Sequence, residues 1–280
     1  MDVKWYIEKD FFWDCQPDTL LTHLKELNIP FELSRKLDCK DLPYSPDQCT
    51  IVYGSIEFAR EINRRIAWVP GCSWVFGNKE NFYCSTYYSH YADFLLNKDF
   101  IYMPLADLYR NRNFIFDIMS DGHGEWLFVR PDSPFKEFTG FLVHKNEVCK
   151  KIPTMSYGDL APNLMVLIAK PKAIVSEYRF YIAKGEVITG SRYKFKDEYD
   201  EDANCSQKAY DLAMKLAKHD WLPAPIFTAD ISEDKDGECR LLEINGFNTS
   251  GMYLCDLKKI ILKANEIAIM DWENYQREIQ

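Results

Sequence analysis

The chain has 280 residues, 47% of them hydrophobic and 15% aromatic, with a formal net charge of −9. That length supplies one large domain or two small ones with a buried core, and the apolar content excludes disorder as the default. The acidic balance argues against a general nucleic-acid binder, and no apolar run approaches the roughly 20 residues of a membrane helix.

The first residues (MDVKWYIEKDFFWD) lack the basic-then-apolar layout of a secretory signal. Nine cysteines are scattered without a CxxC pair, which is neither a disulfide framework nor a zinc spacing. The expectation is a reduced, cytoplasmic protein.

In chain order, Val3–Ile7 reads as a strand and Thr19–Leu27 as an amphipathic helix with Asp18 as N-cap. Phe31–Leu33 and Thr50–Tyr53 read as strands, with Gly54, Ser55 and a helix through Ile62 after the second. Trp74–Phe76 reads as an edge strand. This β-α-β-β-α order implies a small open α/β sheet. Tyr87–Leu96 reads as helical, Phe100–Met103 as extended, and the stretch from Ala106 as mixed. From Glu125 the chain is strand-rich: Trp126–Arg130, Gly140–Val143, Leu164–Ala169, Ser176–Ala183 and Glu186–Tyr193. Ser206–Lys218 reads as a helix, Ile226–Ile231 and Arg240–Ile244 as a strand pair, and Tyr253–Arg277 as a long C-terminal helix. A change of organisation between residues 85 and 100 divides the chain into 1–95 and 96–280.

Three segments carry candidate chemistry. In Asp230–Gly251 (DISEDKDGECRLLEINGFNTSG) the two strands bring Asp230 to Glu243, and Asn245 projects to the same side as Glu243. Two carboxylates and an amide carbonyl form a hard oxygen cluster suited to Mg²⁺; the bland alternative is an ordinary acidic hairpin. The loop Asn245–Gly251 offers backbone N–H groups and leads into the C-terminal helix, whose N-terminus favours anions; the alternative is a plain capping loop. In Leu127–Gly140 (LFVRPDSPFKEFTG) Arg130 ends a strand and Lys136 sits on the loop after it, a fixed and a mobile cation suited to a polyphosphate; the alternative is a solvated strand end. In Ser176–Tyr193 (SEYRFYIAKGEVITGSRY) a hairpin turns at Lys184–Glu186. Glu177 and Arg179 share a face, and Arg192 lies on the returning strand. The arginines suit phosphate, or else cross-strand ion pairs worth about 0.2–1 kcal/mol each. The histidines show no metal motif, and there is no Walker A or GxSxG sequence.

Taken in order, these pieces resemble the ATP-grasp fold over roughly residues 95–280. FVRP ends in arginine where the common pattern has lysine, which resembles the divergent arginine-for-lysine clade related to the eukaryotic assembly factor for translation initiation factor 2. EINGFNTSG is similar to the metal-and-glycine segment of ATP-dependent carboxylate–amine ligases. The resemblance implies an α/β (α+β) ATP-grasp domain at 96–280 behind an α/β pre-domain at 1–95, with ATP and Mg²⁺ as cofactors. It implies that Arg130 and Lys136 contact the ATP phosphates, and that the hinge Leu167, Ile168, Ala169 and Lys170 offers backbone groups to adenine. Arg179 and Arg192 would hold the γ-phosphate or an acyl phosphate, with Glu177 beside them. Asp230, Glu243 and Asn245 would carry Mg²⁺, and Asn248 and Ser250 would line the acceptor side. The activity implied is amide bond formation between a carboxylate and an amine (amino acid, peptide or protein) through an acyl phosphate, without a membrane or nucleic-acid partner. The alternative is an ATP-Mg²⁺-binding assembly factor without ligation.

Overall fold

The structure, a computed structural model, describes residues 2–9, 17–35, 48–120 and 124–279. Cys15, Cys39, the Phe11–Trp13 aromatics and the turn at Asp121–His123 lie outside the described residues. The chain separates into two compact units, one formed by residues 1–79 with 174–280, the other by residues 80–173.

The discontinuous unit begins with β1 (Lys4–Glu8), α1 (Pro17–Glu26), β2 (Phe31–Ser34), β3 (Thr50–Tyr53), α2 (Ile56–Arg65), β4 (Pro70–Gly71) and the single turn α3 (Ser73–Phe76). Its four strands are parallel in the order β2-β1-β3-β4. All of β3 is buried, as continuous apolar strands of parallel sheets are. Ser55 caps α2 by accepting from the Phe58 amide at 3.1 Å. Helix α1 starts at Pro17, so Asp18 lies inside it and is not its cap; proline at a first helical position sacrifices no intrahelical bond.

The expected edge strand at Trp74–Phe76 is α3. The amides of Val75 and Phe76 both donate to the Cys72 carbonyl, after Gly71 has turned the chain at φ +56. A Cβ on Gly71 would meet the Trp68 carbonyl oxygen at 2.4 Å. A short apolar run fits either periodicity, and the glycine turn decides for the helix.

The inserted unit comprises α4 (Cys84–His90), β5 (Phe100–Pro104), α5 (Leu105–Met119), β6 (Trp126–Pro131), β7 (Phe141–His144), α6 (Val148–Thr154) and β8 (Met165–Ala169). Its sheet is antiparallel in the order β5-β8-β6-β7. One face carries Ile101, Met103, Leu127, Val129, Val166 and Ile168, packed with Leu108, Ile115 and Phe116 of α5 and Ile152 of α6. The stretch from Ala106 is thus a 15-residue helix where a mixed segment was expected.

The chain returns to the first unit with β9 (Ser176–Ala183), β10 (Glu186–Phe195), β11 (Glu198–Asp202), α7 (Gln207–Ala217), β12 (Ile226–Glu233), β13 (Cys239–Gly246), a 3-10 turn at Phe247–Thr249 and α8 (Leu257–Glu278). These strands form an antiparallel sheet in the order β11-β10-β9-β12-β13. Helix α8 starts at Leu257, four residues later than expected, because Asp256 caps it through the Lys259 amide. One core joins Trp5, Ile51 and Tyr53 of the first sheet, Tyr181, Ala183 and Ile226 of the second, and Ile260, Ala264 and Ile267 of α8.

Candidate functional site

In the discontinuous unit the site is written on one face of the antiparallel sheet. The register sets Arg179 on β9 opposite Asp230 on β12, and Asp230 opposite Glu243 on β13. Residues directly opposite each other point to the same side, so the three form a row across three strands. Arg179 donates from Nε to Oδ1 of Asp230 at 2.8 Å and from an Nη to Oδ2 at 2.7 Å, a two-pronged pair. Both residues are buried, Asp230 to 1% exposure. Burial opposes the guanidinium charge, but the Asp230 carboxylate outweighs it, so the Arg179 pKa lies well above its ordinary value. The other Nη donates to the Gly251 carbonyl at 3.1 Å. The rings of Tyr253 and Tyr193 lie 4.8 and 5.7 Å from the guanidinium carbon and stack on each other at 4.7 Å.

Asn245 follows Glu243 on the same face and donates from Nδ2 to Oε1 of Glu243 at 3.0 Å. Asp230, Glu243 and the Asn245 carbonyl are thus neighbouring oxygen donors. Among the described residues no three His, Cys, Asp or Glu side chains form a metal-holding group. The donor set fits Mg²⁺ in another way: few protein oxygens, with water and phosphate oxygens completing the shell. Asp230 can serve while paired, because each carboxylate oxygen has a second lone pair.

Glu177 lies two residues before Arg179 on the same strand and accepts from the Tyr193 hydroxyl at 2.6 Å and from Nζ of Lys194 at 3.0 Å. Burial, then the nearby Asp230 and Glu177 carboxylates, push the Tyr193 pKa up, so its hydroxyl stays a proton donor. Sequence reading missed Tyr193, Lys194 and Tyr253. Tyr193 was discoverable, since it ends the hairpin already singled out.

Arg192 is not brought to Arg179. The register sets Ser191 opposite Arg179 and Arg192 opposite Tyr178, so Arg192 leaves from the other face, where it pairs with Asp200 at 3.0 Å and Asp202 at 3.6 Å. The loop Asn245–Gly251 also departs from expectation. Phe247, Asn248 and Ser250 are buried, and the loop's carbonyls accept from tyrosines: Ser250 from the hydroxyls of Tyr53 (2.6 Å) and Tyr181 (3.0 Å). Asn248 Nδ2 donates to the carbonyls of Val52 (2.7 Å) and Gly71 (3.0 Å), tying the loop to the ends of β3 and β4. Residues 252–256 separate this loop from α8, so it does not form that helix's N-terminus.

In the inserted unit Arg130 is the penultimate residue of β6 and is buried. Gly140 passes close beside it: a Cβ there would lie 3.0 Å from the Arg130 Cβ and 2.7 Å from the Phe128 ring. Lys136, on the loop between β6 and β7, has φ +49. Asp132 accepts from the Ser85 amide (2.6 Å) and hydroxyl (2.8 Å), fastening the start of α4 to the end of β6. Leu167, Ile168 and Ala169 pair with β5 on one side and β6 on the other. Their peptide groups are therefore engaged within the sheet, and the chain leaves it only at Lys170.

The profile of the ATP-grasp domain of the arginine-for-lysine clade, family 2, matches residues 109–261. The chain belongs to that family, and its fold is the ATP-grasp fold. No curated protein sequence matches the chain. Among solved structures it is similar to D-cycloserine synthetase DcsG (TM-score 0.62, 12% identity, 95% of this chain and 99% of that chain). It is also similar to the ATP-grasp ligase PsnB in complex with a minimal precursor (TM-score 0.55, 11% identity, 96% and 100%). D-alanine–D-alanine ligase from Bacillus anthracis is a third such structure (TM-score 0.51, 14% identity, 100% and 100%). Among the described residues no helix is long and apolar enough to cross a membrane.

Proposed function

We propose that the chain is an ATP- and Mg²⁺-dependent carboxylate–amine ligase. The carrying observation is the row Arg179–Asp230–Glu243 with Asn245 on one sheet face. Support comes from relatives of the same fold: the B. anthracis ligase has been solved with ATP, and PsnB with Mg and ADP. In this reading 96–280 is the ATP-grasp domain and 1–95 the pre-domain, and the protein works in the cytoplasm.

Asp230, Glu243 and Asn245 hold Mg²⁺, which offsets charge on the transferring phosphoryl group. Arg130 and Lys136 bind the ATP phosphates, and peptide groups at the hinge end of β8 meet the adenine. A substrate carboxylate attacks the γ-phosphorus and releases ADP. An amine then attacks the acyl carbon, and inorganic phosphate leaves as the amide forms. Arg179, with Glu177 behind it, steadies the acyl phosphate; Arg192 enters the phosphate site only if the β10–β11 ribbon turns. Asn248 and Ser250 hold the loop that forms the acceptor side. The substrate is an amino acid, a peptide or a protein end.

The second reading, an ATP-Mg²⁺-binding factor kin to the initiation factor 2 assembly factor, is favoured by one observation: Arg179 and Arg192 both already face carboxylates. ADP release in the presence of amino acids, peptides or extract separates the two. Substituting Glu243→Ala should cut turnover at least 100-fold with the melting temperature in the absence of ligand little changed. Undiminished turnover by the variant would overturn the metal assignment.

A further inference from the structure

The sheet of the inserted unit has two faces, and one is explained. Ile101, Met103, Val129, Val166 and Ile168 pack with α5 and α6. The other carries Phe100 and Tyr102 of β5, Leu167 and Ala169 of β8, and Phe128 and Arg130 of β6. The register sets Tyr102 opposite Leu167 and Leu167 opposite Arg130. Tyr102 and Arg130 are therefore the two ends of one row, on the same side of the sheet, about 10 Å apart at the backbone.

Aromatic packing fixes the Tyr102 ring. Phe100 lies against it at 5.0 Å and Tyr88 of α4 at 6.3 Å, both edge-on. The hydroxyl at the ring's tip is buried and has no hydrogen-bond partner among the described residues. An unmatched buried hydroxyl carries the full cost of leaving water. Phenylalanine would fill the ring's place without that cost, so packing alone does not account for the oxygen. Burial first, then Cys84, Tyr88 and Asp132, push the pKa of the phenol far up, with Arg130 acting the other way. The group is thus a neutral donor, in electrostatic reach of the cation proposed to bind phosphate.

We infer that the Tyr102 hydroxyl donates a hydrogen bond to a phosphate oxygen of the nucleotide held by Arg130, making Tyr102 a nucleotide-binding residue. The inference rests on the ATP-binding reading above. In the ligand-bound protein the donor meets an anionic acceptor, and a bond to a charged group is among the stronger kinds. Tyr102 thereby rewards the phosphate chain and is indifferent to the nucleoside alone.

The experiment measures binding of ATP, ADP and adenosine by wild type and Tyr102→Phe, and the melting temperature of each without ligand. ATP and ADP should bind the variant about tenfold more weakly, with adenosine unaffected and the ligand-free melting temperature equal or higher. Equal ATP affinity in the two proteins would overturn the inference. So would a parallel loss of adenosine, which would place the hydroxyl away from the phosphates. A ligand-free melting temperature lowered by several degrees would also count against it, showing that the hydroxyl is already satisfied inside the fold. If wild type itself fails to bind ATP, the nucleotide reading falls and this inference with it; if wild type binds and Tyr102→Phe binds equally, only this inference falls.

Discussion

The Arg179–Asp230 pair combines two demands in one place. Taking both charges out of water is costly, and the two-pronged geometry repays that cost only while both partners are present. Arg179→Ala, which leaves Asp230 buried with its partner gone, should lower unfolding free energy by about 3–5 kcal/mol, read from urea denaturation. The double variant Arg179→Met with Asp230→Leu should recover most of that loss, because apolar side chains of similar volume replace the pair. A double variant no more stable than the single one would show that the pair's geometry, and not its desolvation, governs the site's stability. The row itself was legible in the sequence. Glu243 and Asn245 are two apart on a strand, and the acidic turn before them brings Asp230 back alongside. What the sequence withheld was the partner already in place, since cross-strand register decides which arginine meets which carboxylate.

At the scale of elements, register accounts for the misjudged arginine. Strand β10 carries irregularities at Val187/Thr189 and Arg192/Lys194. Each extra residue changes which side chains share a face, so simple alternation from Arg179 around the turn to Arg192 misleads. Strand and helix positions were mostly recoverable from periodicity. Helix α5 was not, because Arg110, Asn111, Arg112 and Asn113 interrupt its apolar stripe. Two contacts against α3 give further predictions. Gly246 ends β13 so close to it that a Cβ would lie 2.5 Å from the Val75 Cβ and 2.9 Å from the Trp74 carbonyl oxygen. Gly246→Ala should therefore cost about 1–3 kcal/mol through overpacking, measurable as a lowered urea midpoint. Asp271 of α8 accepts from the Trp74 indole at 2.7 Å. Its pKa is raised by burial, against the pull of Trp74 and Lys184. The folded state then holds this proton more tightly than the unfolded chain does. The contribution to stability is full below the ordinary value of 3.8 and is lost as pH rises through the raised one. Asp271→Asn keeps an acceptor for the indole and removes the charge, so it should gain on wild type in melting temperature between pH 4 and 7. A constant offset across that range would contradict the assignment.

At the scale of the molecule, the discontinuous unit unites residues distant in sequence. Trp5 of β1 is fully buried and its indole donates to Asn265 of α8 at 2.8 Å. Trp5→Ala should cost about 3–5 kcal/mol, and faster hydrogen exchange should appear in α8 as well as in β1 and β3. Protection loss confined to the N-terminal sheet would argue that the two sheets do not share one cooperative core. No periodicity in the sequence announces this arrangement, because strand and helix patterns report which face is buried and not against what. The same separation has a consequence in the cell. Strands β1 and β3 leave the ribosome long before α8 is made, so their apolar face waits uncovered through the synthesis of about two hundred residues. Contacts this remote in sequence slow folding, and exposed apolar surface invites association in the meantime. Nascent chains paused before α8 should be the form most dependent on chaperones, and release of the last helix the event that ends that dependence.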